Sequence, residues 1–260
     1  YLPIFSYFLE LTLPRGDIIS SLNTFSKPTF PPMKAHEAYI DSALEWARTC
    51  PHLPSQVLAT WFRRYTDYGI SETLLDILEP LGVTTWAISY HLQGKTNGLT
   101  VGEIGRTRAA VMKRLLLLPT AEELSMDSVR EAGLSLYECC RLTAFIFSAA
   151  VTFPIPNTFD VLQFYVAKLK AAVEVSNILR CDEDLVDKLL LWILMLGGIA
   201  ALDKPERQWF VEQMSIVRGR LGITWDDATE VFENFLWLES ACGVGGWLFW
   251  KESEALHLAA

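Results

Sequence analysis

From Leu189 to Leu202 the chain runs fourteen residues, LLLWILMLGGIAAL, without a charge, bounded by Lys188 and Asp203. A membrane-spanning helix needs about 20 apolar residues to cross roughly 30 Å of hydrocarbon. The run is too short for that. A helix apolar on every side must then be enclosed by other protein, so the rest of the chain has to wrap around it. The second apolar stretch, LTAFIFSAAVTFPIPNTF at 142–159, is broken by Pro154 and Pro156, which end a helix after about three turns. Both stretches read as helices buried inside a folded body, not as membrane anchors. Within the first run, Gly197 and Gly198 each cost about 1 kcal/mol relative to Ala in a helix interior. Close approach of another helix, or a kink, should offset that, and packing is favoured over a ligand contact.

The residues that follow punctuate helices. Asp203 is placed as an N-cap, with Glu206 three residues on to complete a capping box and Pro205 in the first turn. Phe210, Met214, Val217 and Leu221 then form one apolar stripe, and Gly222 is placed to end it. Thr224 caps the next helix, with Asp226 and Asp227 in its first turn and Ala228, Val231, Phe232 and Phe235 as its buried face. Further helices are predicted over 35–49, 55–67, 101–116, 134–152, 158–178 and 182–202. The segment VTTWAISYH at 83–91 has the β-branched content of a strand but nothing to pair with. Eight of the twelve prolines lie in the first 80 residues, so shorter helices and turns are expected there, with SKPTFPPMK as an irregular connection. No repeat or strand–turn–strand pattern is present. The expectation is an all-α fold, a single multi-helix globular domain over 1–260 with buried apolar helices.

Composition narrows the function classes. Apolar residues make up 51% of the chain, with nine Trp and fourteen Phe, so either the core is large or apolar surface awaits a partner or ligand. Acids outnumber bases 31 to 22, a formal net charge of −9, which repels nucleic-acid phosphates and argues against direct nucleic-acid contact. Cys50, Cys139, Cys140, Cys181 and Cys242 are odd in number and contain no Cys-x-x-Cys, which fits a reducing compartment; Cys139 and Cys140 read as small buried hydrophobes. His36, His52, His91 and His257 are scattered without metal-ligand spacing. The sequence begins at Tyr1 without Met, as a fragment or processed product would, and YLPIFSYFLE lacks the basic leader and cleavage site of a signal peptide.

Short motifs were weighed for chemistry. Asp226, Asp227 and Glu230 in WDDATE form an Asp-Asp-x-x-Glu set that could hold magnesium against a diphosphate, as all-α terpenoid synthases do. The first-turn role of the two aspartates competes with that reading. Only thirty residues follow Glu230, and Asn234, Glu239 and Ser240 have the wrong spacing for a second metal segment. GKT at 94–96 lacks the first glycine of a phosphate loop, Ser89 standing in its place, and CGVGGW has Leu248 where a dinucleotide fingerprint needs a third glycine; both read as turns. GLSLY at 133–137 lacks the closing glycine of a nucleophile elbow, and Ser135 reads as a helix cap or start. Asp182, Glu183 and Asp184 read as a solvated helix start. No catalytic, metal or cofactor residues are nominated, and the expectation is a non-enzymatic protein. Arg141 is the exception worth following: a guanidinium beside so apolar a run needs a carboxylate, supplied by Glu138 or by an acid from another helix.

Four ordered blocks carry a resemblance: RTRAAVMKRLLLLPTAEEL (106–124), YECCRLTAFIFSAAVTFPIP (137–156), LLLWILMLGGIAA with PERQWFVEQM (189–214), and GITWDDATEVFENFLWLESACG (222–243). Together they resemble the C-terminal or middle regulatory region of fungal-specific transcription factors of the zinc-cluster type. The resemblance covers about 106–250, a family-like core, while 1–105 match only loosely. It implies an all-helical regulatory domain, usually nuclear. The expectation placed on that domain is association with a protein partner or with itself, and beyond that the binding of a small effector in an apolar cavity between helices. That family typically carries a basic six-cysteine zinc cluster; none is present in this sequence, so the cluster either precedes Tyr1 or is missing, leaving a cluster-less protein-binding scaffold. Trp192, Trp209, Phe210, Trp225 and Trp237 are expected in the core rather than at an effector site.

Overall fold

The computed structural model describes residues 15–29, 34–50, 53, 61–95, 98–125, 131–154, 158–176, 178–180 and 183–259. Among them every regular element is helical and none is a strand. The eleven α-helices are α1 (Arg15–Thr24), α2 (Lys34–Thr49), α3 (Glu72–Leu92), α4 (Val101–Leu117), α5 (Ala121–Ser125), α6 (Glu131–Phe147), α7 (Thr158–Val175), α8 (Asp184–Ala200), α9 (Arg207–Leu221), α10 (Trp225–Glu233) and α11 (Glu239–Ala259). Short 3₁₀ turns cover Phe62–Tyr68 and Ile178–Arg180, and α6 runs on through a π-helical turn, Ser148–Thr152.

The uncharged run is the axis of the fold. Leu189 to Met195 are completely buried, seven residues in succession, because α6, α7, α9, α10 and α11 surround α8. Trp192 lies at the centre, its Nε1 donating to Leu236 O at 3.0 Å and its ring stacked on Phe235. The glycine pair is explained by packing, as expected. A Cβ on Gly197 would enter the ring of Phe210 on α9, and one on Gly198 the ring of Phe249 on α11. Arg207 locks that seam: it lies 4.6 Å over Phe249, donates to Gly198 O at 2.5 Å and pairs with Glu252.

A second, smaller core joins α2, α3 and α4. Ala43, Ala47, Val83, Ala87, Leu99 and Ile104 form it, bordered by Trp46. Here the structure departs from the sequence reading. VTTWAISYH is helical, the C-terminal half of α3, because Val83 and Ala87 are fully buried against α2 and α4. α3 tolerates Pro80 in its interior. The missing N–H leaves the carbonyl of Asp76 without its helical donor, and Arg114 Nη1 of α4 approaches that oxygen at 3.4 Å. Arg114 also pairs with Glu37 of α2, so one guanidinium ties three helices.

Other expectations are corrected. Asp203 does not cap a helix: it sits at φ +59 in a turn, α9 begins four residues later, and Glu206 precedes it without a side-chain cap. The buried Arg207 contact to Gly198 O fixes the chain there instead. CGVGGW is not a turn but lies inside α11, where Gly246 fits beneath Trp237 and Trp225. Ser135 is one turn inside α6. Of the predicted helix 55–67, residues 55–60 lie outside the described residues, Trp61 is in a turn and 62–67 are 3₁₀. Gly222, at φ +62, ends α9 as expected, and Thr224 forms a full capping box with Asp227.

Among the described residues one helix, Gly133–Thr152, is long and apolar enough to cross a membrane. It is the core helix α6 with its π turn, and 78% of its most apolar 18-residue window is buried inside the protein, so packing already accounts for its hydrophobicity.

Candidate functional site

Most residues considered for chemistry are used structurally. Asp227 accepts from Thr224 N and Oγ1, which holds its carboxyl below the usual range; Asp226 and Glu230 are exposed on the same short helix. Among the described residues no group of three His, Cys, Asp or Glu side chains converges as metal ligands would. Cys139, Cys140 and Cys242 are buried free thiols; burial pushes Cys139 and Cys242 up to about 12 and Cys140 well above its ordinary value, so none is a ready thiolate. Glu183 and Asp184 are exposed, as expected, whereas Asp182 and Cys181 lie outside the described residues. Trp192 and Phe210 are fully buried, and Trp209, Trp225 and Trp237 pack on the core from its edge.

Arg141 is where the sequence reading and the structure converge. Its side chain is 8% exposed, and it forms a two-point pair with Glu138, Nη2 to Oε1 at 2.6 Å and Nε to Oε2 at 2.9 Å. Desolvation works to lower its pKa, but the Glu138 hydrogen bonds and charge outweigh that and the net shift is upward, so the guanidinium stays charged. Glu138 also accepts from the backbone N–H of Ala121 at 3.1 Å, and Tyr137 donates to Pro119 O at 2.7 Å. These bonds hold the five-residue helix α5 against α6. Removing one partner of such a buried pair costs about 3–5 kcal/mol, because the other charge is left desolvated.

Above this pair lies a cleft of about 270 Å³, open on one side, between α5, α6 and α7. Its lining is mainly apolar with two carboxylates, Glu122 and Glu138. Glu138 and Leu142 line it from α6, Ala171, Ala172 and Val175 from α7, and Glu122 from α5. Ser135, expected to start a helix, lines it too. Lys168 is at the rim, its Nζ drawn 4.9 Å over the Phe164 ring. Sequence reasoning identified Glu138 and Arg141 but missed Glu122, Lys168, Ala171 and Ala172. The signal was available: two adjacent alanines on a helix otherwise rich in large side chains leave space beside it. A broader groove between α9 and α11, about 670 Å³, is lined by Ile216 and Leu256 together with the buried Ser215 and with Arg220, which pairs with Asp187.

No family model, curated protein or solved structure matches the chain.

Proposed function

We propose that the chain is a regulatory, non-enzymatic helical domain of a fungal transcription regulator, working in the nucleus through protein association and small-effector sensing. The supporting observation is how the four resembling blocks are used. They fall on α4 with α5, on α6, on α8 with α9, and on α10 with the start of α11, and these helices share one core centred on α8. The blocks thus meet in one core, which residues of α1, α3 and α7 complete. The polar groups of that core serve capping, helix-to-helix ion pairs and the Glu138–Arg141 pair, an arrangement suited to holding conformations rather than to moving electrons or protons. A ligand acts on such a body by favouring one packing of its helices over another.

The test is to fuse the chain to a DNA-binding module of known site and read a reporter. Output that departs from that of the module alone supports the reading; output identical to it sinks the reading. Magnesium with pyrophosphate should leave the melting temperature unchanged, since Asp226, Asp227 and Glu230 sit on an exposed, self-capped helix. A clear rise would restore the diphosphate-metal alternative.

A further inference from the structure

We infer that the α5–α6–α7 cleft binds a small organic amine, its ammonium held between Glu122 and Glu138 and its apolar body against Leu142, Ala172 and Val175. The role given to that binding rests on the regulatory reading above; the binding itself does not.

The argument begins with acceptor capacity. An ionised carboxylate offers about four lone-pair sites. Glu138 uses three of them, two on Oε2 for Arg141 Nε and Ala121 N and one on Oε1 for Arg141 Nη2. One site on Oε1 remains, on a carboxylate that lines the cleft and is fixed from behind by a buried guanidinium. Glu122 adds a second carboxylate to the same cleft and has no ion pair among the described residues. Lys168, the single cation of the lining, lies over the Phe164 ring and keeps its charge there. With Arg141 behind Glu138 the charges around the cleft balance, so the preference for an ammonium rests on the two carboxylates that line it, Glu122 and the free Oε1 site of Glu138. The remaining lining is aliphatic, and alanine at 171 and 172 leaves room for a short hydrocarbon body. A volume of about 270 Å³ limits the ligand to a small molecule.

The cleft is also placed to report its occupancy. Its α5 wall is held to α6 by Ala121 N–Glu138 and to the N-terminal segment by Lys27–Glu123. Phe25 of that segment lies on Phe164, the ring that carries Lys168. An ammonium on the free Oε1 site of Glu138 draws on the carboxylate that holds α5 and, through Glu123, bears on the segment following α1.

The experiment uses the whole chain with three probes of one body and different heads: hexylamine, hexan-1-ol and hexanoate. Titration calorimetry and thermal melting should rank the amine first, with binding by hexanoate at least about tenfold weaker, a difference of about 1.4 kcal/mol. Ala172→Leu fills the wall without changing a charge and should abolish amine binding. Ala171→Leu, on the exposed part of the same wall, does the same should the first variant fail to fold. Glu122→Gln should remove the preference for the amine over the alcohol. Equal binding of all three probes, or amine binding that survives both fillings, overturns the site. The reporter fusion separates the two ideas. An amine that binds the wild type but leaves reporter output equal to that of the module alone contradicts the regulatory reading and not the site. Output that departs from the module alone, with no amine binding, contradicts the site and not the reading.

Discussion

The two cores of this molecule are built differently. Around α8 large rings fill gaps left by glycine, Phe210 against Gly197 and Phe249 against Gly198, and pack on one another, Trp192 against Phe62 and Phe235. Between α2, α3 and α4 the packing is of small residues, Ala43, Ala47, Val83 and Ala87, with Trp46, Trp86 and Tyr90 clustered at the edge. The first arrangement has few alternatives, since a ring fits only where a side chain is missing. The second brings helices close with little shape to choose one position over another. It relies on polar ties from outside, above all Arg114 with Glu37 and the Asp76 carbonyl. Size of side chain, rather than amount of apolar area alone, decides which half specifies itself.

The largest expected effect tests that contrast directly. Trp192→Ala should destabilise by about 3–5 kcal/mol, as buried aromatic truncations do, and Trp86→Ala by no more than about half as much because its ring is only partly buried. Urea unfolding of both variants measures the difference; equal losses would mean that the two cores are energetically alike. Next comes overpacking. Gly198→Ala drives a methyl into Phe249 and should cost about 1–3 kcal/mol, where an ordinary Gly→Ala change in a helix would stabilise it. A gain in melting temperature would show that the glycine is not there for the ring.

The smallest effect concerns the helix starts. Thr100→Ala removes the cap of α4 and should cost about 1 kcal/mol. Its partner Glu103 is held below the usual carboxylate range, chiefly by the Thr100 hydroxyl and backbone N–H. A folded-state pKa below the unfolded one gives stability that is present above the unfolded value and lost as pH falls through the folded value. Glu103→Gln should therefore flatten the acid limb of the stability–pH curve and leave stability near pH 7 less sensitive to further acidification. An unchanged acid limb would place the titration elsewhere.

What could be read from the sequence follows the same division. The all-helical class, the Thr224 cap, the Gly222 terminator, the Phe210–Met214–Val217 stripe and the Glu138–Arg141 pair are local, set by residues within one or two turns of each other. They were legible because the physics that fixes them is short-range. α3 was not, because Pro80 and a β-branched run oppose a helix locally and burial by α2 and α4 overrules them. α11 was missed because Gly243, Gly245 and Gly246 read as a loop, yet Gly246 serves to admit Trp237 and Trp225 from elsewhere in the chain. The Asp203–Glu206 box failed although its spacing was right, since Arg207 had a stronger claim in Gly198 and Glu252. The cleft was half legible: its ion pair is local, its walls come from three helices.

Arg114 makes the history of one proline visible in the energetics of another residue. Replacing Pro80 with Ala would supply the amide that α3 lacks and leave the guanidinium's hold on Asp76 redundant. The penalty for truncating Arg114 should consequently shrink in the alanine background, a non-additivity between two helices that a thermodynamic cycle can read.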